Sequence, residues 1–399
     1  MKEVDFSRDD RWLLPEAVDE VLPPEAARLE ALRRQILDTY RGWGYELVIT
    51  PLIEFVDSLL VGTAHDLDLQ TFRLTDQLSG RMMGIRADMT PQAARIDAHQ
   101  LRRDVVTRLC YLGTVLNTRP EGAGHSRNPV QLGAEIYGHA GVESDVEIIA
   151  LMLETLDLVG LREASLDLGH VGIFRALAHE AGLNATQESR LFDVLQRKAT
   201  RELQELMQDV DATPSRERLA ALIGLNGGIE VLDEAAVRLE GAAEPAQAAL
   251  RRLGDLVAAL QRRVPEVTLH VDLAELTGYR FHNGVVFAAY TAGHGKALAR
   301  GGRYDGIGEA FGRARPATGF STDLKALVSA GGLAQAPPPE DGILAPWSDD
   351  PALLSRVREL RQAGERVVTA MPGRDDSARA LGCDRVLRSA TGGWQLEQA

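Results

Sequence analysis

Four segments of this 399-residue chain combine glycine with polar or charged side chains, a composition typical of small-ligand sites at strand ends. They are residues 84–90, 117–135, 278–284 and 301–306. Carboxylates such as those of Asp88 and Glu135 bind an ammonium group, and an amide such as that of Gln131 binds a carboxylate. Together the segments indicate a pocket for a small polar ligand, such as a zwitterion.

Each segment taken alone also has a purely structural interpretation. In isolation, residues 301–306 favour a tight turn, and Asp88 suits the start of a helix, where the helix dipole stabilises a negative charge. His170 and His282 are as suited to packing as to ligand binding. The sequence contains no phosphate-binding loop with its Lys-Ser/Thr pair, no nucleophile elbow and no metal-ligand spacing. We therefore predict neither a metal nor a cofactor.

Composition excludes several classes of protein. An apolar share of 45% with 26% charged residues is typical of a globular chain, and no apolar run reaches the roughly 18 residues of a membrane span. The polar start does not resemble a signal peptide, and Cys110 and Cys383 lack redox or metal spacing, so we expect a cytoplasmic protein. The net charge of −14 argues against nucleic-acid binding.

Hydrophobic periodicity predicts the elements that position these segments. A helix is predicted over 24–43, and the run 47–50, closed by Pro51, predicts a strand at a sheet edge or interface. Thr90 and Pro91 suit the N-cap and first residue of a helix that reaches His99. Further strands are predicted at 72–74, 82–86, 109–116, 131–137, 165–168, 267–273, 284–290 and 297–300.

The remaining segments suggest the domain organisation. Residues 184–263 are almost entirely of helical pattern, as in an insertion between two blocks of sheet, and 321–329 predicts a further helix. A proline-rich stretch at 334–339 predicts a linker. Beyond it, residues 340–399 alternate strand and helix in a β-α-β-α-β pattern, which predicts a small α/β domain with a parallel sheet.

Taken together and in order, seven segments resemble the catalytic domain of histidyl-tRNA synthetase, a class II synthetase. They most resemble its non-catalytic paralogue, the regulatory subunit of ATP phosphoribosyltransferase. The segments are 13–16, the stretch around Pro51 (motif 1), 86–90, 113–138 (motif 2), 278–287, 301–306 and 319–328 (motif 3).

The resemblance implies an α+β fold for residues 1–333, with a six- or seven-stranded antiparallel sheet flanked by helices. It also implies dimerisation through motif 1 and a C-terminal domain like a shortened anticodon-binding domain.

The sequence departs from the synthetase where ATP would be bound. In motif 2 the Arg-x-Glu positions hold Asn117, Thr118 and Arg119. The ATP-binding arginine of motif 3 falls on Ala326, and the histidine-specific arginine falls on Thr277. Each charge-assisted hydrogen bond is worth about 1.5–3 kcal/mol, so the joint loss predicts that adenylate formation is absent.

The amino-acid side of the pocket is kept, with Asp88 where the synthetase has Glu and His282 where Tyr is usual. The ligand residues that the resemblance implies are Asp88, Thr90, Gln131, Glu135, Tyr279, His282 and Tyr304. We expect ligand affinity to depend on Asp88 and Glu135 remaining ionised, with the ligand ammonium as their counter-charge.

The resemblance then implies a silent regulatory subunit that joins the short-form ATP phosphoribosyltransferase catalytic subunit, in a hetero-octamer, at the first step of histidine biosynthesis. Histidine is the implied effector, bound in this pocket or at the subunit junction. An ATP-dependent amino-acid ligase and a scaffold with a vestigial pocket are the alternatives.

Overall fold

The computed structural model describes residues 12–61, 65–120, 122, 125–208, 210, 213–276, 278, 281–332, 341–391 and 393–399. Contacts divide the chain into two compact units, residues 1–334 and 335–399, and each is described by itself. The predicted linker at 334–339 lies outside the described residues.

Most strands of the first unit join one large sheet. In chain order the strands are β1 (Glu46–Leu47), β2 (Ile53–Phe55), β3 (Phe72–Thr75), β4 (Met82–Ile85), β5 (Thr107–Thr114), β6 (Val130–Tyr137), β7 (Ala164–His170), β8 (Asn226–Gly227), β9 (Thr268–Asp272), β10 (Val285–Thr291), β11 (Ala299–Arg303) and β12 (Ala317–Asp323). Nine of them form a sheet in the order β1-β5-β6-β12-β11-β10-β7-β9-β8, and β2-β4-β3 form a small antiparallel sheet.

The first unit has the α+β class II fold that the resemblance implies, but its large sheet is mixed rather than wholly antiparallel and has more strands than expected. Its pairs are antiparallel apart from β1–β5 and β7–β9, which are parallel. The two-residue edge strands β1 and β8 account for the difference from six or seven strands. Strands this short carry no period-two pattern, so the sequence does not reveal them.

The helices of the first unit lie between and beside these strands. They are α1 (Glu25–Gly42), α2 (Val56–Leu59), α3 (His65–Gln70), α4 (Thr90–Arg95), α5 (Val142–Leu158), α6 (Val171–Glu180), α7 (Ala185–Gln196), α8 (Thr200–Gln208), α9 (Pro214–Ala221), α10 (Val231–Arg238), α11 (Glu244–Arg263) and α12 (Leu324–Ala330). Among the described helices, none is both long and apolar enough to cross a membrane.

The two faces of the large sheet differ in chemistry. Successive strand side chains alternate between faces, so Leu132 and Ala134 of β6 enter the apolar core. Helices α1, α5, α6 and α11 contribute to the same core. Gly133 and Glu135 therefore lie on the opposite face, where Glu135 is paired in register with Gly319 of β12. This second face carries the candidate site.

Three predictions around the site are wrong in detail. Residues 321–323 end β12 rather than begin a helix, because β12 is paired on both sides, with β6 and β11. Residues 301–303 belong to β11 rather than to a tight turn: a Cβ on Gly301 would lie 2.2 Å from the Gly319 carbonyl, so glycine permits close strand packing. Helix α4 is flanked by Met89 rather than capped by Thr90, and it continues as a π-helix, Ile96–Leu101.

The second unit is a four-stranded sheet with one helix. Its elements are β13 (Gly342–Ala345), α13 (Pro351–Gln362), β14 (Val367–Thr369), β15 (Cys383–Ala390) and β16 (Gly393–Gln398). The order is β14-β13-β15-β16, with β16 antiparallel to β15. The predicted second helix is only a 3₁₀ turn, Arg379–Leu381. The antiparallel β16, whose Trp394 and Leu396 pack against the core of this unit, was not predicted.

Candidate functional site

The deepest polar group of the site is the Glu135 carboxyl, at the centre of the large sheet. Glu135 is 1% exposed. The Tyr111 hydroxyl of β5 donates to its Oε1 at 2.9 Å, and the Tyr304 hydroxyl, directly after β11, donates to its Oε2. The carboxyl is thus held by two phenolic donors from neighbouring strands, which fix its orientation.

Asp88 and Gln131 form the outer, half-buried end of the site. Gln131 Nε2 donates to Asp88 Oδ1 at 2.7 Å, and Gln131 Oε1 accepts from the Met89 backbone N–H at 2.8 Å. The backbone N–H of Thr90 also donates to Asp88 Oδ1, at 2.9 Å. The amide of Gln131 is therefore oriented by both of its polar atoms.

Thr90 connects the two ends. Its backbone N–H binds Asp88, while its hydroxyl lies 2.8 Å from that of Tyr111. Because Tyr111 donates its own proton to Glu135, the Thr90 hydroxyl serves as the donor to Tyr111. A continuous chain of hydrogen bonds thus runs from Asp88 through Thr90 and Tyr111 to Glu135.

An aromatic wall lies beside the carboxyl. The Phe281 and Tyr304 rings are 5.0 Å apart between centroids, and His282 packs edge-on against both, at 5.4 Å from Phe281 and 6.1 Å from Tyr304. Such a wall suits a planar ring. Tyr279, the remaining predicted ligand residue, lies outside the described residues.

Burial controls the protonation of Glu135. It raises the pKa of this carboxyl to about 8, against the opposing effect of the two tyrosine hydrogen bonds, and the Asp88 charge raises it further. In the ligand-free site the protonated form of Glu135 is therefore favoured near neutral pH, because the surrounding strands exclude water. That ligand affinity depends on the ionised form stays a prediction. Burial likewise places the pKa values of Tyr111 and Tyr304 well above their ordinary range.

Gly319 makes room for this carboxyl. A Cβ at that position would lie 1.5 Å from Glu135 Oε2, so no larger residue fits without moving the side chain. His170, by contrast, has a structural role, because its Nδ1 accepts from the Gly172 N–H at 3.1 Å and caps α6. Burial, with the nearby Arg252 charge, lowers the pKa of His170 to about 4.

Two residues of the site, Tyr111 and Phe281, were not predicted from the sequence. The signal for Tyr111 was the pairing of β5 with β6, which places Tyr111 opposite Gly133, on the same face as Gln131 and Glu135. Phe281 lies inside one of the glycine-containing segments, but it is apolar, and those segments were selected for their polar side chains. Among the described residues, no group of three potential metal ligands occurs.

The motif 2 and motif 3 positions that differ from the synthetase are engaged in local contacts. Asn117 is buried and its N–H donates to the Arg127 carbonyl, while the Thr118 hydroxyl donates to the Leu69 carbonyl. The Lys325 ammonium, beside Ala326, pairs with Asp19 at 3.0 Å.

The segment that contains Asp19, before α1, contacts residues of both motif 2 and motif 3. The Asp19 backbone N–H donates to Asn128 Oδ1 at 3.1 Å, and Asn128 Nδ2 donates to the Asp19 carbonyl at 3.0 Å. Arg127 Nη1 donates to the Glu16 carbonyl at 3.2 Å. The residues before α1 therefore join the motif 2 hairpin to the first residues of motif 3's helix.

Comparison with known proteins gives the family. A histidyl-tRNA synthetase family model matches residues 17–327, and the model of the ATP phosphoribosyltransferase subunit HisZ C-terminal domain matches residues 340–397. The ATP phosphoribosyltransferase regulatory subunit of Thioalkalivibrio sulfidiphilus is 60% identical over 95% of this chain and 96% of its own. That of Alkalilimnicola ehrlichii is 56% identical over 98% of each chain.

Solved structures agree with this assignment. A Bacillus halodurans protein described as an ATP phosphoribosyltransferase regulatory subunit/histidyl-tRNA synthetase superposes with a TM-score of 0.83 at 28% identity, covering 94% of this chain and 97% of its own. A histidyl-tRNA synthetase from a Nostoc species, at 20% identity and covering 94% and 91%, shares the fold with a TM-score of 0.76. With matches along nearly its whole length, the chain belongs to the ATP phosphoribosyltransferase regulatory subunit family, which has the histidyl-tRNA synthetase fold.

Proposed function

We propose that this chain is a regulatory subunit of ATP phosphoribosyltransferase that binds histidine in the site between Asp88 and Glu135. One observation carries the proposal: an oriented carboxylate–amide pair and a buried carboxyl survive, whereas motif 2 and motif 3 lack the arginines that would hold ATP. The names of its close relatives support the same role. The partner is the short-form catalytic subunit, and histidine acts as the feedback inhibitor of the assembly.

The two ends of the site match the two ends of histidine. Asp88 is half-buried and its carboxylate is oriented by Gln131, so this carboxylate suits the charged ammonium group of the ligand. The buried Glu135, beside the aromatic rings of Phe281, His282 and Tyr304, suits an imidazole N–H. A neutral imidazole ring is cheaper to bury than a charged ammonium group, which favours this orientation.

Loss of adenylation is part of the proposal. Asn117 and Ala326 cannot supply the bidentate charge-assisted bonds that an arginine makes to phosphate. Lys325, the cation next to Ala326, is 13% exposed and already paired with Asp19. We therefore expect no histidine-dependent pyrophosphate exchange from the purified chain.

Self-association is also proposed, through the apolar surface of the motif 1 region. Ile49 is 90% exposed, and Leu47, Leu52 and Ile53 are 47%, 49% and 44% exposed. These side chains lie within one short stretch that runs from β1, the edge strand of the large sheet, to β2 of the small sheet, and a second copy of the chain is the occupant that the resemblance implies.

The test combines calorimetry with a coupled assay. Purified chain, alone and with the short catalytic subunit, is titrated with histidine, and the rate of ATP phosphoribosyl transfer is measured with and without histidine. We expect binding, a higher rate of the partner, and inhibition. Asp88→Asn should weaken binding at least tenfold, whereas the exposed Asp57→Asn serves as the matched control and should bind like wild type.

The possible results separate the candidate functions. No heat in either state favours a scaffold with a vestigial pocket. A partner rate unchanged by the chain contradicts the regulatory role, and adenylate formation would instead support a ligase.

A further inference from the structure

We infer that Arg86 couples the apolar motif 1 surface to the ligand site, so that self-association and histidine binding strengthen each other. The inference rests on the proposed function, because it concerns the same ligand site and the same self-association. Its structural basis is a set of side chains between the two surfaces that no part of ligand binding itself requires.

Arg86 is buried directly beneath the segment that links β1 to β2, residues 48–52 (the β1–β2 link). Its Nη1 donates to the Thr50 carbonyl at 2.7 Å and to the Thr50 hydroxyl at 2.8 Å, while its Nε donates to the Thr114 carbonyl at 3.0 Å. Arg86 as a whole is only 7% exposed. One guanidinium thus joins the link to the end of β5.

The fold makes specific room for this guanidinium. A Cβ on Gly113 would lie 2.5 Å from Arg86 Nη2, so the guanidinium occupies the space that a side chain on β5 would need. The backbone of Arg86 is fixed on both sides as well, since its N–H donates to the Leu52 carbonyl and its carbonyl accepts from the Leu116 N–H, each at 3.0 Å. Its position is therefore set jointly by the link and by the end of β5.

Helix α4 provides a second connection to the same region. Gln92 Nε2 donates to the Pro51 carbonyl at 2.9 Å and to Glu54 Oε1 at 2.7 Å. Arg95 Nη2 donates to the same Glu54 oxygen at 2.7 Å, in a pair that is 20% and 10% exposed. The first two turns of α4 are thereby anchored to the link and to β2.

The link presents opposite chemistry on its two sides. Ile49 and Leu52 are exposed, whereas Thr50, between them, is 6% exposed and bound by Arg86. A second copy that covers the outward apolar side chains would restrict the backbone of the link. That restriction reaches the inward side through the Thr50 and Pro51 carbonyls.

On its other side, Arg86 lies immediately before the ligand residues. Asp88 is two residues further on, and Thr90 begins α4. A shift of the link would move Arg86 and α4 together. It would therefore also move the Asp88 carboxylate and the Thr90 N–H that binds it. Arg86 is therefore a positioning residue: it contacts no proposed ligand group, but it sets where those groups stand.

Because coupling between two binding equilibria is reciprocal, it can be measured from either side. Analytical ultracentrifugation gives the dimer dissociation constant with and without saturating histidine, and we expect histidine to tighten the dimer about tenfold or more. With two equivalent sites per dimer, the same coupling weakens histidine binding by about threefold in a monomeric chain. Ile49→Asp provides that chain, because its side chain is exposed and the substitution leaves the core intact.

Arg86→Lys tests the proposed connection itself. Lysine keeps the charge but lacks the planar fork that reaches Thr50 and Thr114 together, so histidine should no longer affect the dimer constant. The matched control is Arg218→Lys, in α9, where the arginine binds Glu180 and the Glu240 carbonyl far along the chain from the site. This control should lower the melting temperature while leaving the coupling as in wild type.

Each result has one meaning. Histidine binding without any effect on association overturns the coupling and leaves the proposed function standing, and full coupling in Arg86→Lys overturns the role of Arg86. Absence of histidine binding by wild type overturns both the proposed function and this inference. If Arg86→Lys does not fold, equal histidine affinity of wild type and Ile49→Asp still overturns the coupling.

Discussion

Histidine binding by this chain should tighten as the pH rises, because the imidazole N–H of the ligand favours the ionised form of Glu135. Burial raises the pKa of that carboxyl to about 8. About one carboxyl in ten is then ionised at pH 7, and about one in a hundred at pH 6. A ligand that requires the ionised form has its affinity reduced by that fraction, so the structure predicts a roughly 50-fold gain between pH 6 and pH 8 and little gain beyond pH 9.

The measurement is isothermal titration calorimetry on wild type and Glu135→Gln. Histidine itself titrates in this range, but its contribution is common to both proteins and cancels in the ratio of their affinities. At pH 7 the wild type should also release about 0.9 proton for each ligand bound, which the dependence of the heat on buffer ionisation enthalpy reveals. A ratio that stays constant from pH 6 to pH 9, or an uptake of protons, would refute the reasoning.

Three further predictions follow from the same site. A buried acid whose pKa rises from 4.5 to about 8 on folding gives its full stability below pH 4.5 and loses it progressively up to pH 8. The free energy of unfolding of Glu135→Gln, measured by urea denaturation, should therefore rise relative to that of wild type by on the order of 3 kcal/mol between pH 4.5 and pH 7. A difference between the two proteins that does not change with pH would contradict this. Gly319→Ala should abolish measurable histidine binding, because its Cβ would displace Glu135, whereas Gly254→Ala, with nothing within 4 Å, should bind normally. Ala326→Arg alone should leave pyrophosphate exchange undetectable, since position 117 still lacks its arginine; restored exchange would show that one cation suffices.

Elements with a strong internal pattern could be predicted from the sequence. The helix expected at 24–43 is α1, Glu25–Gly42, and the strand expected at 131–137 is β6, Val130–Tyr137. Strand β12 could not be predicted, because its residues are rich in glycine, serine and threonine and lack an apolar alternation. Its extended state comes from hydrogen bonding on both sides, to strands that are distant in sequence.

The types of residue in the site were predictable, but their state was not. Asp88, Gln131 and Glu135 fall in segments whose composition indicates a polar pocket, and the structure brings them together. The protonation of Glu135 depends on a donor 169 residues away, Tyr304, and on the closeness that Gly319 allows. Such long-range effects leave no local signal in the sequence, and neither did the role of Tyr111.

The position of β12 in the sheet also determines when the large sheet can be completed during synthesis of the chain. This strand separates β6 from β11, and it is the last of the large sheet to leave the ribosome. A polypeptide released before residue 317 would contain the acidic half of the pocket on β6 and the tyrosine after β11, with no strand between them to hold their spacing. Translation must therefore pass the whole helical stretch α7–α11 before the ligand pocket can close, and termination between β11 and β12 yields a chain in which the edges of β6 and β11 that β12 would pair with are both exposed.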